Sequence, residues 1–360
     1  MKILITGVGG PSPRSFAIAL KRHSFYKRYQ IIGTDNNPLA HGLYNDALFN
    51  QSYVVPLAAE PDYWEVINKI IEKHQISYAI VLPEREVLEW SRKSIEGNLP
   101  CESLLPDYEL AKILVDKARM TDILEPLEVV PASVPFTPNN FDYDKIRNIL
   151  GPEFWVRATV GTSGLGSLRV TSGESLRNWV RINPAVKQYL ASKFLPGRNL
   201  ACKLLYYKGA LVRSACGERV NYIMSNVSPS GVTGNTSFGR LLNEPILTEL
   251  SSRAMDRLFE SIGAEKHGFF TVDLKEDENG QPFITEVNVR HVAFSQCFAA
   301  AGANFAEDTI RLLSNDESFN REYKYYFFDD DLIFLRDVDE KPIIMKETQI
   351  KKQLSSHSDL

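Results

Sequence analysis

The first 110 residues alternate between apolar runs of strand length and amphipathic runs of helix length. KILITGV, QIIGTD and YAIVLP predict three strands, the first of which ends in a glycine turn. Residues 14–28 and the segment YWEVINKIIEKHQ space their apolar positions as amphipathic helices do. Strands that alternate with helices in this way favour a parallel sheet. The pattern therefore predicts an α/β unit over residues 1–110.

The pattern changes after residue 110. DYELAKILVDKARMTDIL predicts one long helix with Asp107 as its N-cap, and the proline-rich VVPASVPFTP predicts a linker. FWVRATV and LRVT predict two strands on either side of a glycine-rich loop. Residues 220–240 predict a long polar loop, and residues 246–262 and 303–313 predict helices. The final KKQLSSHSDL predicts a frayed tail.

GFFTVDL and PFITEVNV predict a β-hairpin that carries three polar oxygen-bearing side chains. A turn centred on Asn279-Gly280 places Asp273 opposite Glu286. Asn288 lies on the same face, because side chains alternate along a strand. Opposed carboxylates share a proton or hold a cation, and oxygen ligands of this kind suit Mg²⁺ or Mn²⁺ rather than zinc. A solvated sheet face is the alternative, but it would place lysines among the acids.

The glycine-rich loop GTSGLGS offers backbone N–H groups for phosphate oxygens. Its candidate binding residues are Gly161, Thr162, Ser163, Gly164 and Gly166. The loop lies between two strands, so we expect a flap over phosphates rather than a helix N-terminal cradle. Arg157, on the strand before it, is suited to a bidentate phosphate contact. A hairpin loop without a ligand is the alternative interpretation.

The polar loop at residues 220–240 contains or adjoins the candidate substrate residues. Arg219 and Arg240 are suited to a carboxylate or a phosphate, and Asn235 offers an amide. An exposed loop with two solvated arginines explains the same residues equally well.

Composition excludes several classes of function. The chain has 360 residues, of which 44% are hydrophobic and 24% are charged, and a net charge of −4 gives no basic footprint for nucleic acid. No apolar run approaches the length of a membrane span, and the start lacks the pattern of a secretory leader. The four cysteines show no metal spacing. We therefore expect a cytoplasmic protein with reduced thiols that binds neither nucleic acid nor a membrane.

Several segments, in order along the chain, resemble the ATP-grasp enzymes, particularly the large subunit of carbamoyl-phosphate synthase and biotin carboxylase. The resemblance extends over roughly residues 1–313 and implies a Rossmann-like domain followed by an ATP-grasp fold with a glycine-rich lid. VDKARMTDIL is similar to the helix whose lysine contacts ATP phosphate, which implies Lys117. FWVRATVGTSGLGS is similar to the basic strand and lid loop, which implies Arg157 and the backbone of residues 161–166.

ASKFLPGRN is similar to the hinge that holds adenine in this family. The residues implied are Lys193, Phe194, Leu195 and Asn199. The hinge departs from the family pattern, because Ser192 and Lys193 stand where an acid is common. Asn199 replaces the usual ribose-contacting acid, so we expect a ribose contact that is weaker or that uses the amide.

TVDL and TEVNVR are similar to the metal-binding strands of the family. The resemblance implies Asp273, Glu286 and Asn288 as ligands of Mg²⁺ or Mn²⁺ that bridge ATP phosphates. It implies Arg290 as the catalytic residue that orients the substrate or the acyl phosphate.

The function implied is an ADP-forming ligase. Such an enzyme uses ATP to activate a carboxylate as an acyl phosphate, which an amine or a similar nucleophile such as a thiol then attacks. Carboxyphosphate chemistry, as in carbamoyl-phosphate synthase, and a nucleotide-binding module without turnover are the alternatives. An NAD(P)-dependent oxidoreductase is a further alternative that rests on GVGG and Asp35. A homodimer is also possible in this family.

The expected organisation has four parts. Residues 1–110 form the Rossmann-like domain, and residues 111–190 form a helical linker and the lid. Residues 191–320 form the C-terminal ATP-grasp subdomain with the metal site. Residues 321–360 form an extension to which the sequence assigns no role.

Overall fold

Three β-sheets with flanking helices make up the computed structural model of this protein, which describes residues 1–22, 29–161, 166–337 and 346–356. The first sheet has five parallel strands in the order β3-β2-β1-β4-β5, as the alternating pattern predicted. Its strands are β1 Lys2–Thr6, β2 Gln30–Asp35, β3 Gln51–Val54, β4 Tyr78–Ile80 and β5 Glu102–Ser103. Its helices are α1 Pro11–Leu20, α2 Tyr63–His74 and α3 Glu84–Ile95.

The predicted long helix is two helices, α4 Tyr108–Val115 and α5 Lys117–Leu124. Asp107 is the N-cap of α4, as predicted, since its side chain accepts from two backbone N–H groups. Asp116 breaks the run because it has extended backbone angles and its carboxylate accepts from the N–H groups of Ala118 and Arg119. The apolar periodicity continues across the break, and for this reason the sequence pattern did not reveal it.

The second sheet has four antiparallel strands in the order β6-β9-β7-β8. Its strands are β6 Ser133–Phe136, β7 Phe154–Ala158, β8 Leu168–Val170 and β9 Tyr189–Lys193, and its helices are α6 Tyr143–Leu150 and α7 Gly173–Ile182. The predicted linker contains β6, which is an edge strand and therefore tolerates Pro135. The glycine-rich loop connects β7 to β8, as predicted.

The third sheet has seven strands and is largely antiparallel. Its strands are β10 Asn199–Tyr207, β11 Ala210–Tyr222, β12 Thr236–Leu242, β13 Gly268–Glu276, β14 Pro282–Asn288, β15 Lys324–Tyr325 and β16 Ile333–Leu335. Its helices are α8 Pro245–Ile262, α9 Ser295–Ala300 and α10 Phe305–Leu313. Because β11 and β12 take up both ends of the predicted polar loop, the loop itself covers only residues 223–235.

The sheets pack against each other through shared helices. Apolar residues of α8, α4 and α5 cover one face of the third sheet and continue into the core of the first sheet. The other face packs against α9 and α10 through Phe298, Phe305 and neighbouring side chains. In the described parts of the chain, no helix combines the length and the apolar character that a bilayer span needs.

Residues 351–356 dock on the first sheet. Gln353 forms a parallel bridge with Val54 of β3, and the N–H of Leu354 donates to the carbonyl of Val54 at 2.9 Å. The ammonium of Lys351 donates to the carbonyl of Ser52 at 2.8 Å. The prediction of a frayed tail is therefore wrong for residues 351–356. The domain boundaries given above stay predictions.

Candidate functional site

A cavity of about 650 Å³ lies where the three sheets meet. Of the residues predicted from the sequence, those that line it are Lys117, Arg157, Gly161, Lys193, Phe194, Leu195, Asn199, Arg219, Asn235, Asp273, Glu286, Asn288 and Arg290. Gly166 and Arg240 are not among its lining residues. Thr162, Ser163 and Gly164 lie outside the described residues. One cavity thus collects most of the residues that the sequence singled out.

The β13–β14 hairpin brings the predicted oxygen ligands together. Asp273 pairs with Glu286 in the register that the sequence predicted, and Thr271 pairs with Asn288. The turn is not the two-residue turn that we expected. Instead, the N–H of Asp277 bonds the carbonyl of Gln281, which shifts the pairing by one residue.

A β-bulge restores the predicted register before the site is reached. The pairing shifts between Asp273 and Leu274, and Thr285 is the extra residue on β14. The hydroxyl of Thr285 donates to the carbonyl of Asp273 at 3.1 Å, and its own carbonyl accepts from Arg157 at 2.9 Å. The bulge therefore fixes the hairpin to the basic strand β7 as well as aligning the carboxylates.

Each carboxylate of the hairpin has a cationic partner. Arg219 Nη1 lies 3.1 Å from Asp273 Oδ1, and Lys117 Nζ lies 3.2 Å from Glu286 Oε1. Burial raises the pKa of Asp273, although Arg219 opposes the rise. Burial also acts to raise the pKa of Glu286, but Lys117 and Arg157 outweigh it, and the pKa is lowered. Glu286 is thus held as a carboxylate that faces the cavity.

Lys117 and Arg157 form a fixed basic wall. Because α5 begins at Lys117, the backbone N–H of this residue is available to donate to the carbonyl of Thr159, at 2.9 Å. Its ammonium donates to the carbonyl of Gly161 at 2.8 Å, at the start of the glycine-rich loop. Burial lowers the pKa of Arg157, and its buried Nε has no hydrogen-bond partner. Because both cationic side chains line the cavity, the wall is suited to an anion that enters it.

The hinge between β9 and β10 forms one end of the cavity. Phe194 and Leu195 line it together with Trp155, and the guanidinium of Arg169 lies 4.2 Å from the centroid of the Phe194 ring. Lys193 is exposed and pairs with Glu278 at 3.2 Å. The aromatic and aliphatic side chains at this end suit contact with a planar heteroaromatic base.

Arg290 lies at the opposite end, against the first sheet. Its guanidinium donates to the hydroxyl of Ser12 and to the carbonyl of His291, each at 3.2 Å, and lies 3.8 Å from the carboxylate of Glu84. Its buried Nε has no hydrogen-bond partner. Burial raises the pKa of Glu84, although Arg290 opposes the rise.

Ser12 and Glu84 were missed from the sequence. Both lie at the start of a helix that follows a parallel strand, and ligands of open α/β sheets bind at that edge. This placement was the signal that could have found them.

Arg219 and Arg240, predicted as a pair, lie in different environments. Arg219 points into the cavity and donates to the carbonyl of Gly234 at 2.8 Å in the loop 223–235. Arg240 pairs with Glu218 at 2.8 Å, and its side chain is 47% exposed. Since neighbouring residues of β11 point to opposite faces, Glu218 draws Arg240 away from the face that carries Arg219.

The glycine turn after β1 is closed by the acid that suggested a dinucleotide site. Asp35 Oδ2 accepts from the N–H of Gly9 at 2.8 Å, and Oδ1 accepts from the N–H of Asn37 at 2.9 Å. A Cβ atom on Gly9 would lie 2.9 Å from Asp35 Oδ2, so the glycine is needed for this contact. The turn is therefore a structural feature of the first sheet.

The donor set on the hairpin fits a hard divalent cation that also binds phosphate. Asp273, Glu286 and Asn288 offer carboxylate and amide oxygens, which Mg²⁺ and Mn²⁺ prefer. Among the described residues, no cluster of three or more His, Cys, Asp or Glu side chains could hold a metal. A cation here would need further ligands from a bound phosphate or from water, which is common for Mg²⁺.

Comparison with solved structures identifies the fold of this chain, whereas comparison of sequences finds no match. No family profile matches the sequence, and no curated protein sequence matches it. N5-carboxyaminoimidazole synthetase from Staphylococcus aureus, complexed with ADP, has a similar structure with a TM-score of 0.66 at 14% identity, over 93% of this chain and 79% of that chain. The L-amino acid ligase from Bacillus licheniformis is similar with a TM-score of 0.62 at 14% identity, over 87% and 74%.

A third similar structure is the biotin carboxylase domain of the Hydrogenobacter thermophilus 2-oxoglutarate carboxylase, a dimer in complex with MgADP, ADP and bicarbonate. Its TM-score is 0.64 at 14% identity, over 89% of this chain and 71% of that chain. Each of these three likenesses covers at least 87% of this chain. The chain has the ATP-grasp fold that the sequence resemblance implied.

Proposed function

We propose that this protein is an ATP-dependent ligase that activates a carboxylate as an acyl phosphate and joins it to an amine or a similar nucleophile. The observation that carries the proposal is the order of groups along the cavity. The hinge residues Phe194 and Leu195 lie at one end, a cationic wall beside two carboxylates lies in the middle, and Arg290 lies at the far end, 3.8 Å from the carboxylate of Glu84. A nucleoside triphosphate and a small acceptor fit this order.

The nucleotide would lie with its base against Phe194 and Leu195 and its phosphates toward Lys117 and Arg157. Arg157 supports this placement, because it lines the cavity and its guanidinium is suited to a charge-assisted hydrogen bond with a phosphate oxygen. The loop at residues 161–166 follows the same strand, and we assign it the exclusion of water from the reacting groups. The ribose contact is assigned to Asn199, which lines the cavity beside the hinge.

The divalent cation is assigned to Asp273, Glu286 and Asn288. When bound, it neutralises charge on the phosphates and so supports phosphoryl transfer. Glu286 suits this role because Lys117 and Arg157 keep it ionised. Lys117 contributes a second positive charge on the same side.

The acceptor would bind at the far end, between Arg290, Ser12 and Glu84. A guanidinium 3.8 Å from a carboxylate offers both signs of charge, which suits a substrate that carries an acid and an amine or two substrates that each carry one. Arg290 would stabilise charge on the transferred phosphoryl group or orient the acid. Arg219 and Asn235 complete this end, whereas Arg240 takes no part in the proposal.

The proposed chemistry has two steps. A carboxylate oxygen attacks the γ-phosphorus of ATP, and the bond to the bridging oxygen breaks, which gives an acyl phosphate and ADP. The amine nitrogen then attacks the carbonyl carbon, the bond to the phosphate oxygen breaks, and phosphate leaves as the nitrogen loses a proton. The chain contributes alignment and charge stabilisation to both steps.

The test is ADP formation from ATP over a panel of carboxylic acids, including bicarbonate, crossed with amines and thiols. We expect ADP release that requires one acid and one nucleophile together and that is lost in Glu286→Gln. Glu72→Gln, on the exposed face of α2, is the matched control and should behave as wild type. ATP binding without turnover across the panel would favour a nucleotide-binding module, and no ATP binding would overturn the proposal.

Assembly and location remain predictions. The biotin carboxylase domain named above was solved as a dimer, and on that likeness we propose a homodimer here. Light scattering of the purified chain tests this point directly. The expectation of a cytoplasmic location rests on composition alone.

A further inference from the structure

A second cavity, of about 690 Å³, lies beside α9 and β16. Gln296, Cys297 and Ala300 of α9 line it, whereas Val292 and Ala293, just before α9, line the first cavity. No described residue lines both cavities. The volume lies within the range of about 300–1,000 Å³ that small-molecule sites have. The second cavity is therefore large enough for a ligand of its own.

Much of the wall of the second cavity is apolar. Phe328 and Phe334 are buried in the adjoining core, and Leu332 is half-buried against the same core. Phe327 also lines the cavity and is 69% exposed, so the cavity is open to solvent on that side. An apolar part of a ligand would be removed from water by contact with these side chains.

The charged groups of the wall are mainly cationic. Among the described lining residues they are the guanidiniums of Arg22 and Arg336 and the exposed carboxylate of Asp329. Burial raises the pKa of the Cys297 thiol, and Arg336, Lys203 and Arg22 oppose the rise. Both guanidiniums of the wall thus act on this one thiol, and a ligand beside it would meet two positive charges.

Arg336 connects the second cavity to the first. Its Nη1 donates to the carbonyl of Thr236 at 3.2 Å, and its Nη2 donates to Oδ1 of Asn235 at 3.4 Å. Asn235 lines the first cavity, and the hydroxyl of Thr236 accepts from Arg219 at 3.0 Å. An anion at Arg336 would compete for these N–H groups, and the long bond to Asn235 would be weakened first.

We infer that the second cavity binds a small organic anion with an apolar body, and that this binding loosens the loop 223–235 through Arg336. The two guanidiniums would hold the anionic group, and the aromatic and aliphatic wall would cover the apolar body. Because the second cavity is separate from the first, its occupancy can be tested whatever reaction the first cavity supports.

Protection of Cys297 from alkylation by iodoacetamide tests the binding, with peptide mass spectrometry as the readout. The probes are 1-naphthylacetate, its uncharged amide 1-naphthylacetamide, and acetate. We expect saturating 1-naphthylacetate to slow the alkylation of Cys297 by at least about fivefold, and each of the other two probes to slow it by less than about twofold. Cys101, which lines neither cavity, is the internal reference.

Arg336→Met should abolish most of this protection. Arg22→Met, at an exposed residue after α1, should weaken it and keeps the site testable if Arg336→Met does not fold. Arg177→Met is the matched control and should keep full protection. Absence of protection by 1-naphthylacetate, equal protection by its amide, or unchanged protection in both arginine variants would overturn the anion site. Alkylation that slows as the protein concentration rises, without any probe, would show that a second copy covers the cavity and would also overturn it.

Hydrogen exchange of residues 223–235 tests the connection to the first cavity. We expect 1-naphthylacetate to speed exchange in this loop by at least about twofold in the wild type and to leave it unchanged in Arg336→Met. Helix α2 is the internal reference. Unchanged or slower exchange in the wild type would overturn the role of Arg336. Both readouts use the protein without nucleotide, so a failure of the proposed ligase activity does not affect them.

Discussion

The chain has two glycine-rich segments that each follow a β-strand, one after β1 and one after β7. They differ in whether the nearby polar groups are bonded within the protein or line a cavity. In the turn after β1, both oxygens of Asp35 are bonded to backbone N–H groups of the turn and of the next loop. In the turn after β7, the nearby charged groups Lys117, Arg157 and Glu286 line an open cavity, and Arg157 keeps an unpaired Nε.

The difference is that the acid beside the first turn is bonded within the protein, whereas the charged groups near the second line a cavity. In sequence, both regions combine glycines with a charged residue nearby, and both suggested a nucleotide. The charged residues near the second turn line the cavity, whereas Gly9 and Asp35 of the first are not among its lining residues. Charged side chains that line a cavity therefore indicate a ligand more strongly than the glycines do.

The largest predicted effect is the loss of ATP affinity on replacement of Arg157, and it tests the contrast between the two turns. Replacement by Met keeps the apolar length of the side chain and removes the charge, and we expect ATP affinity to fall by about 100-fold, or about 2.8 kcal/mol. Calorimetric titration with Mg-ATP measures it. Arg177→Met, at an exposed position of α7, is the control and should bind as wild type. Unchanged affinity in Arg157→Met would remove the distinction between the two turns.

Asp35→Asn tests the other side of the comparison. Loss of a charged acceptor for two backbone N–H groups should lower the free energy of unfolding by about 2 kcal/mol. The ATP affinity of the folded variant should stay within about twofold of wild type, because Asp35 takes no part in the cavity. Urea unfolding and the same calorimetric titration give the two numbers. A large loss of ATP affinity without loss of stability would show that the first turn also binds nucleotide.

Lys203 is a buried lysine that belongs to neither turn. It is fully buried among Phe269, Phe294 and Phe298, and burial lowers its pKa from 10.5 to about 7. Above pH 10.5 the lysine is neutral in both the folded and unfolded states, so its burial does not lower the free energy of unfolding through a charge. As the pH falls toward 7 the unfolded state gains a proton that the folded state resists, so stability is lost over that range.

Lys203→Met should therefore raise the melting temperature near pH 7 by about 3 °C, which corresponds to about 1 kcal/mol. The gain should shrink as the pH is raised toward 10. Thermal unfolding followed by circular dichroism at several pH values measures both effects. A gain that does not change with pH would mean that repacking of the rings, rather than removal of the charge, is responsible.

The smallest effect is expected at Arg240, the candidate that the structure places outside the cavity. Arg240→Met should change ATP affinity and turnover by less than about twofold, since the side chain is exposed and its pair with Glu218 lies on the other face of β11. Arg219→Met serves as the comparison in the same assays. If Arg240→Met impaired turnover as strongly as Arg219→Met, the assignment of the substrate end would be wrong.

The parts of the site that were predictable from sequence depend on short-range rules. Side-chain alternation along β13 and β14 placed Asp273, Glu286 and Asn288 on one face. The register was right at the carboxylates although the turn was wrong, because the bulge at Thr285 offsets the shift that the longer turn introduces. Local pattern alone contained no signal for two compensating irregularities.

Features that depend on contacts between sheets were not predictable. The helix break at Asp116 lies inside a continuous apolar periodicity. This break places Lys117 at the start of α5. Ser12 and Glu84 join the site only because the first sheet packs beside Arg290. Arg219 and Arg240 looked equivalent in sequence, and only the strand pairing with Glu218 separates them.

The docked tail has a consequence for the order in which this chain folds. Residues 351–354 lie along β3, so the outer edge of the first sheet is covered by a segment made about 300 residues later. During synthesis, β3 presents its unpaired edge while most of the chain is still being made, and open strand edges recruit other chains. The outer edge of β3 therefore stays open until residues 351–354 have been made, and their docking closes it.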